Sequence, residues 1–277
     1  MKKPFAALLL SSIVMFGVVS CGQPVEEIHH EEEEKEEEEP FPTLDMNKRV
    51  NDLQESDYNL VPYYFIKRCN DATSYKSVTK GQTAATVLFI TTHQSIDVTT
   101  IKSEYSYMKN ESHSALVNTT HEAYYYGDKT LVKNNTEAEF HSETKEEYLQ
   151  NYGVDPYGKS LEGYLINSKT LTSVEKLESE EDYKFKVVLN TELASNNVKI
   201  QMKKFGGLDA YPNIKKVEMT LTVKEDFLPV KIELVSEYSA TLGATSECHQ
   251  EYTVGYSNFN EQIEISNLEE IKTKFEA

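Results

Sequence analysis

The sequence predicts an α+β fold that is mainly β, an antiparallel sheet of eight to eleven strands with a few covering helices, on three observations. Apolar and polar side chains alternate at period two in repeated runs, most plainly at Val217, Met219, Leu221 and Val223 against Glu218, Thr220, Thr222 and Lys224. That is the pattern of a strand with one wet face. Short turn sequences separate such runs, so that neighbours pair as hairpins. Helical periodicity is confined to three short stretches.

The amino-terminal segment is not part of that fold. Lys2 and Lys3 precede an apolar run over residues 5–19, which Ser20 and Cys21 close. Charge, short apolar core and small residue are the order of a secretory signal, and about 15 apolar residues fall short of the roughly 20 that a spanning helix needs. Val18, Val19, Ser20 and Cys21 resemble the lipobox of bacterial lipoproteins. The resemblance implies cleavage before Cys21 and a diacylglyceryl group on its thiol, which makes the membrane a partner through lipidated Cys21. Two or three acyl chains anchor stably, since each buried methylene contributes about 0.8 kcal/mol.

Residues 21–42 read as a disordered acidic tether. Ten glutamates lie between Glu26 and Glu39, relieved only by Lys35, and Pro40 and Pro42 close the block. It has no apolar face to bury and it repels itself. His29 and His30 beside the glutamates read as solvated charge rather than a metal site. The chain carries −18, of which the signal contributes +2 and residues 21–45 contribute −10, so −10 remains on residues 46–277. An acidic body argues against nucleic acid and against a basic patch for anionic headgroups.

The body, residues 43–277, is expected to be one extracytoplasmic domain, since no Pro/Gly/Ser-rich seam divides it. Met46, Val50 and Leu53 behind Asp45 suit an opening helix with an acidic cap. Residues 83–92 and 101–108 read as strands. Residues 123–126 and 130–133 flank Gly127 and Asp128 as a hairpin. Thr144 and Glu147 fit a capping box for a short helix carrying Tyr148, Leu149 and Tyr152. Tyr183, Phe185, Val187 and Leu189 alternate as a strand. Val198, Met202 and Phe205 before Gly206 make a third helix, although Val198, Ile200 and Met202 also alternate. The 217–223 strand turns at Glu225, Asp226 and Phe227 into a partner with Val230, Ile232 and Leu234 inward. Residues 252–256 and 263–265 read as the last strands.

The final hundred residues resemble the superfamily of lipoprotein carriers, which includes the periplasmic lipoprotein chaperone and the lipid-binding lipoproteins of mycobacteria. The resemblance rests on residues 215–223, the turn, Leu228-Pro229-Val230, and Tyr256-Ser257-Asn258-Phe259-Asn260 leading to Ile263 and Ile265. Residues 266–277 depart from it, standing where a proline usually follows the last strand. The resemblance implies a curved half-barrel whose concave side, plugged by helices, receives acyl chains. Under it Val217, Met219, Leu221, Val223, Val230, Ile232 and Leu234 would line the ligand face; the alternative for those residues is an ordinary filled core.

Cys69 and Cys248 are candidates for a disulfide in an oxidising compartment, which would contribute at most about 5 kcal/mol; otherwise they are two small buried hydrophobes. Residues 153–160 satisfy the formal phosphate-loop pattern, Gly153 through Gly158-Lys159-Ser160. The residues before it are polar and helical in character rather than a buried strand, and Pro156 removes an N–H, so the segment reads as a turn and a decoy. His93, His113, His121, His141 and His249 have no ligand spacing. No catalytic constellation, cofactor or metal site is expected. The functional expectation is a non-catalytic, membrane-anchored binder or carrier of lipid or another apolar ligand. The alternative is a surface-display or adhesion protein with a closed core.

Overall fold

The computed structural model describes residues 41–115, 118–135, 137–152 and 160–276. Cys21, the signal, the tether up to residue 40 and residues 153–159 of the phosphate-loop-like segment lie outside the described residues. The architecture is mainly β, as expected. One open sheet of eleven strands runs β6-β5-β4-β3-β2-β1-β13-β12-β11-β10-β9, every neighbour antiparallel. The first meander comprises β1 (Tyr75–Val87), β2 (Ile90–Lys102), β3 (Ser106–Ser114), β4 (Asn118–Tyr126), β5 (Lys129–Asn134) and β6 (His141–Thr144). The second comprises β9 (Leu171–Leu177), β10 (Tyr183–Leu189), β11 (Asn213–Val223), β12 (Pro229–Leu242) and β13 (Ala244–Ser257). Between them a two-stranded ribbon, β7 (Ser160–Leu161) and β8 (Tyr164–Leu165), leaves the sheet altogether. The two meanders join at the centre, where β1 pairs with β13 from Lys76 opposite Ser257 to Thr86 opposite Glu247.

The opening helix expected over 46–53 is not formed; a single 3-10 turn, Val50–Asp52, stands there, and a second covers Glu55–Leu60. The first α-helix, α1 (Val61–Asp71), follows with Pro62 in its first turn, where the missing N–H costs nothing. It buries Val61, Tyr64, Phe65, Ile66 and Cys69. Tyr64 stacks on Phe227 at 4.1 Å between ring centroids. At its end the Lys102 ammonium donates to the carbonyls of Cys69 and Asn70, each at 2.9 Å, satisfying orphan acceptors at the negative pole of the helix. Arg68 donates to the carbonyls of Met46 and Asp226, which pins the incoming chain to the β11–β12 turn.

The capping box before α2 (Lys145–Tyr152) forms as the sequence predicts. Glu147 N donates to Thr144 Oγ1 at 3.1 Å and Thr144 N donates to the Glu147 carboxylate at 2.7 Å. Thr144→Ala should therefore cost about 1 kcal/mol, a fall of about 2–4 °C in the thermal midpoint followed by circular dichroism. An unchanged midpoint would mean that tertiary packing alone holds α2. The third expected helix is α4 (Asn196–Gly206), preceded by the short α3 (Thr191–Ala194), and it ends on Gly207 at φ 62°. The strand alternative at Val198, Ile200 and Met202 is thereby excluded.

Three strand assignments need correction. Residues 83–92 straddle the β1–β2 turn, where Leu88 and Phe89 take φ of 45° and 76°. Residues 101–108 straddle the β2–β3 turn, and 263–265 lie in coil before a further helix, α5 (Leu268–Glu276). The left-handed backbone costs a non-glycine residue roughly 1–2 kcal/mol, which is why a turn built on leucine and phenylalanine is not expected. Helix α5 covers the opposite sheet face: Ile271 and Phe275 join Ile101, Tyr124 and Leu131 there.

Candidate functional site

Six of the seven residues expected to line a ligand face lie side by side on the inner sheet surface. Met219 stands opposite Leu234 and Leu221 opposite Ile232. Val217 and Val223 flank them, all six buried in the main core with Phe185, Val187 and Val254 from β10 and β13. Val230 does not join them and is half-buried. The register shifts between Thr222 and Val223, so that Val223 pairs with Pro229, and the proline takes the inward position. The apolar wall thus spans β10 to β13, and α1, α4 and the β7–β8 ribbon share its core.

The ribbon carries the residue that the sequence reading missed. Its two-residue turn is Glu162-Gly163, at φ 52° and 82°, the doubly left-handed geometry that a two-residue hairpin requires. Turns ordinarily face water; here Leu161, Glu162 and Tyr164 are all 0% exposed. A Cβ on Gly163 would meet Val198 at 3.0 Å and the Gln201 side chain at 3.4 Å, so α4 lies directly on the turn. On the other side Tyr256 OH donates to Glu162 Oε1 at 3.1 Å. Burial pushes the Glu162 carboxyl up to about 7, and only the Tyr256 hydrogen bond opposes it. Burial first, and the Glu162 charge after it, hold the Tyr252 and Tyr256 phenols well above their ordinary range. Among the described residues no hydrogen-bond partner reaches Glu162 Oε2, Gln201 Oε1, Ser195 Oγ or Tyr252 OH. Native interiors pair nearly all such atoms. The arrangement therefore combines an apolar wall with a few buried polar groups led by a carboxyl that is half neutral near pH 7.

The disulfide expected between Cys69 and Cys248 is not formed; both cysteines are free and buried. Cys248 pairs with Ala85, whereas the Cys69 carbonyl is held by Lys102, opposite Tyr75. Ten residues of strand separate those levels, about 33 Å, against the ~7 Å limit between Cα atoms of a bridge. Burial pushes both thiols up, Cys248 to about 11, so neither is a ready nucleophile. His121 is a satisfied core residue: Asn134 Oδ1 lies 2.9 Å from Nδ1 and Tyr148 OH 3.0 Å from Nε2, and burial lowers its pKa. His93, His113 and His249 are exposed, and His141 sits between Glu137 and Glu143. Among the described residues no group of three His, Cys, Asp or Glu side chains is placed to hold a metal. No helix among them is long and apolar enough to cross a membrane.

No protein family's sequence profile matches the chain, and no curated protein does. Solved structures give distant likenesses. A DUF1329 family protein from Desulfovibrio piger matches at 10% identity over 77% of this chain and 95% of its own, with a TM-score of 0.29. A domain assigned to the outer membrane lipoprotein-sorting proteins, from Vibrio parahaemolyticus, matches at 8% identity over 81% and 100%, with a TM-score of 0.31. A LolA superfamily protein from Nitrosomonas europaea matches at 11% identity over 77% and 94%, with a TM-score of 0.24.

Proposed function

We propose that this chain is an extracytoplasmic lipoprotein held to a membrane through lipid on Cys21. Its domain acts as a non-catalytic binder or carrier of a lipid or another apolar ligand. The observation that carries the carrier reading is the make-up of the covered face. Four strands supply a continuous aliphatic wall, while Glu162 and Gln201 in the short elements covering it, and Tyr252 on the sheet, carry buried polar atoms without a hydrogen-bond partner among the described residues. A dry structural core has no use for such atoms, each of which costs about 1–3 kcal/mol. An amphiphile answers both features, its chain against Met219, Leu221, Ile232 and Leu234 and its hydrogen-bonding head against the Glu162 group. The wall and the covering elements form one core, so loading requires the ribbon or a helix to yield.

The rival reading, a surface-display or adhesion protein with a closed core, draws on the same packing, since the six wall residues already fill the chain's own interior. Native mass spectrometry of the detergent-extracted full chain, with organic extraction of the same sample, separates the two. The carrier reading expects co-purifying lipid and saturable uptake of a fluorescent fatty acid. A lipid-free chain that also leaves the fatty acid unbound removes it in favour of display. Anchoring is checked separately: radiolabelled palmitate should enter the natural chain, and Cys21→Ser should leave the membrane fraction. Retention of Cys21→Ser would sink the anchor.

A further inference from the structure

The β1–β2 hairpin ends in three large apolar side chains held in water: Leu88 is 84% exposed, Phe89 99% and Ile90 70%. Among the described residues none of the three joins a core cluster, and the first two occupy left-handed backbone that asparagine and glycine take more easily. The tip contributes nothing to the core and is strained, so its composition calls for an explanation outside the fold. Its charge is as unusual as its polarity. Residues 81–96 contain no Lys, Arg, Asp or Glu, in a chain where 27% of residues are charged. The nearest charges on the two strands, Lys80 and Asp97, face each other at 3.8 Å about halfway down the hairpin. Glu247, opposite Thr86 on β13, is engaged by Lys215. Leu193 and Tyr211, both more than two-fifths exposed, lie at the same end of the sheet, beyond β10 and before β11.

The geometry places this end away from the point where the chain arrives. Residues 45–50 are fastened to the β11–β12 turn, by Val50 N on the Glu225 carbonyl and by Arg68. That turn lies at the opposite end of the strands from Phe89. Thirteen residues of β1 span about 43 Å, whereas the twenty residues 21–40 ahead of Phe41, which packs on Tyr63, could reach up to about 70 Å. A chain anchored at Cys21 can therefore set the hairpin tip on the same bilayer that holds its lipid.

We infer that the Leu88-Phe89-Ile90 tip inserts into the interfacial region of a lipid bilayer with uncharged or zwitterionic headgroups, giving the domain a second membrane contact. A bare apolar wedge without cations gains only by burial. The surrounding negative body favours neutral headgroups over anionic ones. This inference rests on the anchoring proposed above.

The chain has no tryptophan, so single substitutions report without background. The lipidated full chain carrying Phe89→Trp, and a second carrying Leu177→Trp at the other end of the sheet, are reconstituted in phosphatidylcholine vesicles containing doxyl-labelled lipid. Flotation with the vesicles reports the anchor. Insertion expects the Phe89→Trp indole to shift blue by about 10 nm and to lose about half its emission to shallow doxyl groups, with Leu177→Trp unaffected. Added phosphatidylglycerol should reduce the quenching, and salt should restore it. Flotation with an unquenched Phe89→Trp indole overturns the insertion and leaves the anchor standing. Failure to float overturns both. A blue shift without quenching, together with a concentration-dependent dimer in sedimentation, overturns insertion in favour of a second copy of the chain. Unchanged thermal midpoints in both variants confirm that the readout comes from folded protein.

Discussion

Glu162→Gln should stabilise the protein at pH 8 by about 3 kcal/mol and by less than about 1 kcal/mol at pH 5. The carboxyl is fully buried and its pKa is raised from 4.5 to about 7. A group whose folded pKa is raised binds its proton more tightly in the native state. Its neutral form therefore leaves full stability below about pH 4.5, and stability is lost as pH climbs from 4.5 to about 7. Above that window the penalty is constant, equal to the shift of about 2.5 units at 1.36 kcal/mol each. Glutamine cannot ionise and keeps an oxygen for the Tyr256 hydroxyl, so it removes the penalty without breaking that hydrogen bond. Urea titrations of the parent and variant at pH 5, 6.5 and 8 measure the difference directly, with equal slopes required for the comparison. Parallel pH profiles for the two chains would show that the carboxyl is hydrated rather than buried, and the site described around it would lose its central group. A variant that gains stability while losing a bound lipid would tie the cost of the charge to function.

The second large effect is expected at Gly81, near the middle of the seam between the meanders. It pairs with Tyr252, and a Cβ built there would lie 2.4 Å from Tyr252 Cβ and 2.5 Å from the Glu251 carbonyl oxygen. Both atoms belong to β13, and one is backbone, so no side-chain rotation makes room. Gly81→Ala should cost about 3 kcal/mol, at the upper end of what overpacking does. The double variant with Tyr252→Ala should recover little, because the Glu251 carbonyl remains. Gly127→Ala is the internal comparison: nothing lies within 4 Å of its Cβ, and only its φ of +56° opposes the substitution, worth about 1 kcal/mol. Equal losses at the two glycines would mean that the seam yields easily, contrary to the close approach observed.

The sheet was legible because period-two alternation survives wherever one strand face is wet. Val217 to Val223 and Tyr183 to Leu189 needed nothing else, and the Thr144 and Glu147 pair marked α2 through capping chemistry that is local by nature. Helix α1 was hidden because Val61, Tyr63, Tyr64, Phe65 and Ile66 are β-branched or aromatic and nearly all buried, so no polar face marks a period. Its one usable sign was Pro62 in the first turn. The β1–β2 hairpin looks like one strand in the sequence because Leu88 and Phe89 carry none of the turn chemistry that glycine or asparagine would announce. Glu162 was lost for a different reason. Among 46 acidic residues no single carboxyl stands out. The available signal was Glu-Gly bracketed by Leu161 and Tyr164, a two-residue hairpin flanked by side chains that water rejects.

The central pairing of β1 with β13 has a kinetic side. Every other pair in the sheet links strands consecutive in the chain, and the longest connection among them, from β10 to β11, runs only over residues 190–212. This one joins residues 76–86 to residues 247–257, about 170 positions apart, so its closure entropy is the largest of any strand pair in the sheet. Contacts of such sequence separation slow folding. Until residue 257 has been synthesised, the inner edge of β1 faces solvent with its backbone amides unmatched, a template for another nascent chain. The last strand to be made completes the middle of the sheet, not its margin, so a carboxy-terminal truncation before Cys248 would leave two separate half-sheets rather than a slightly narrower whole.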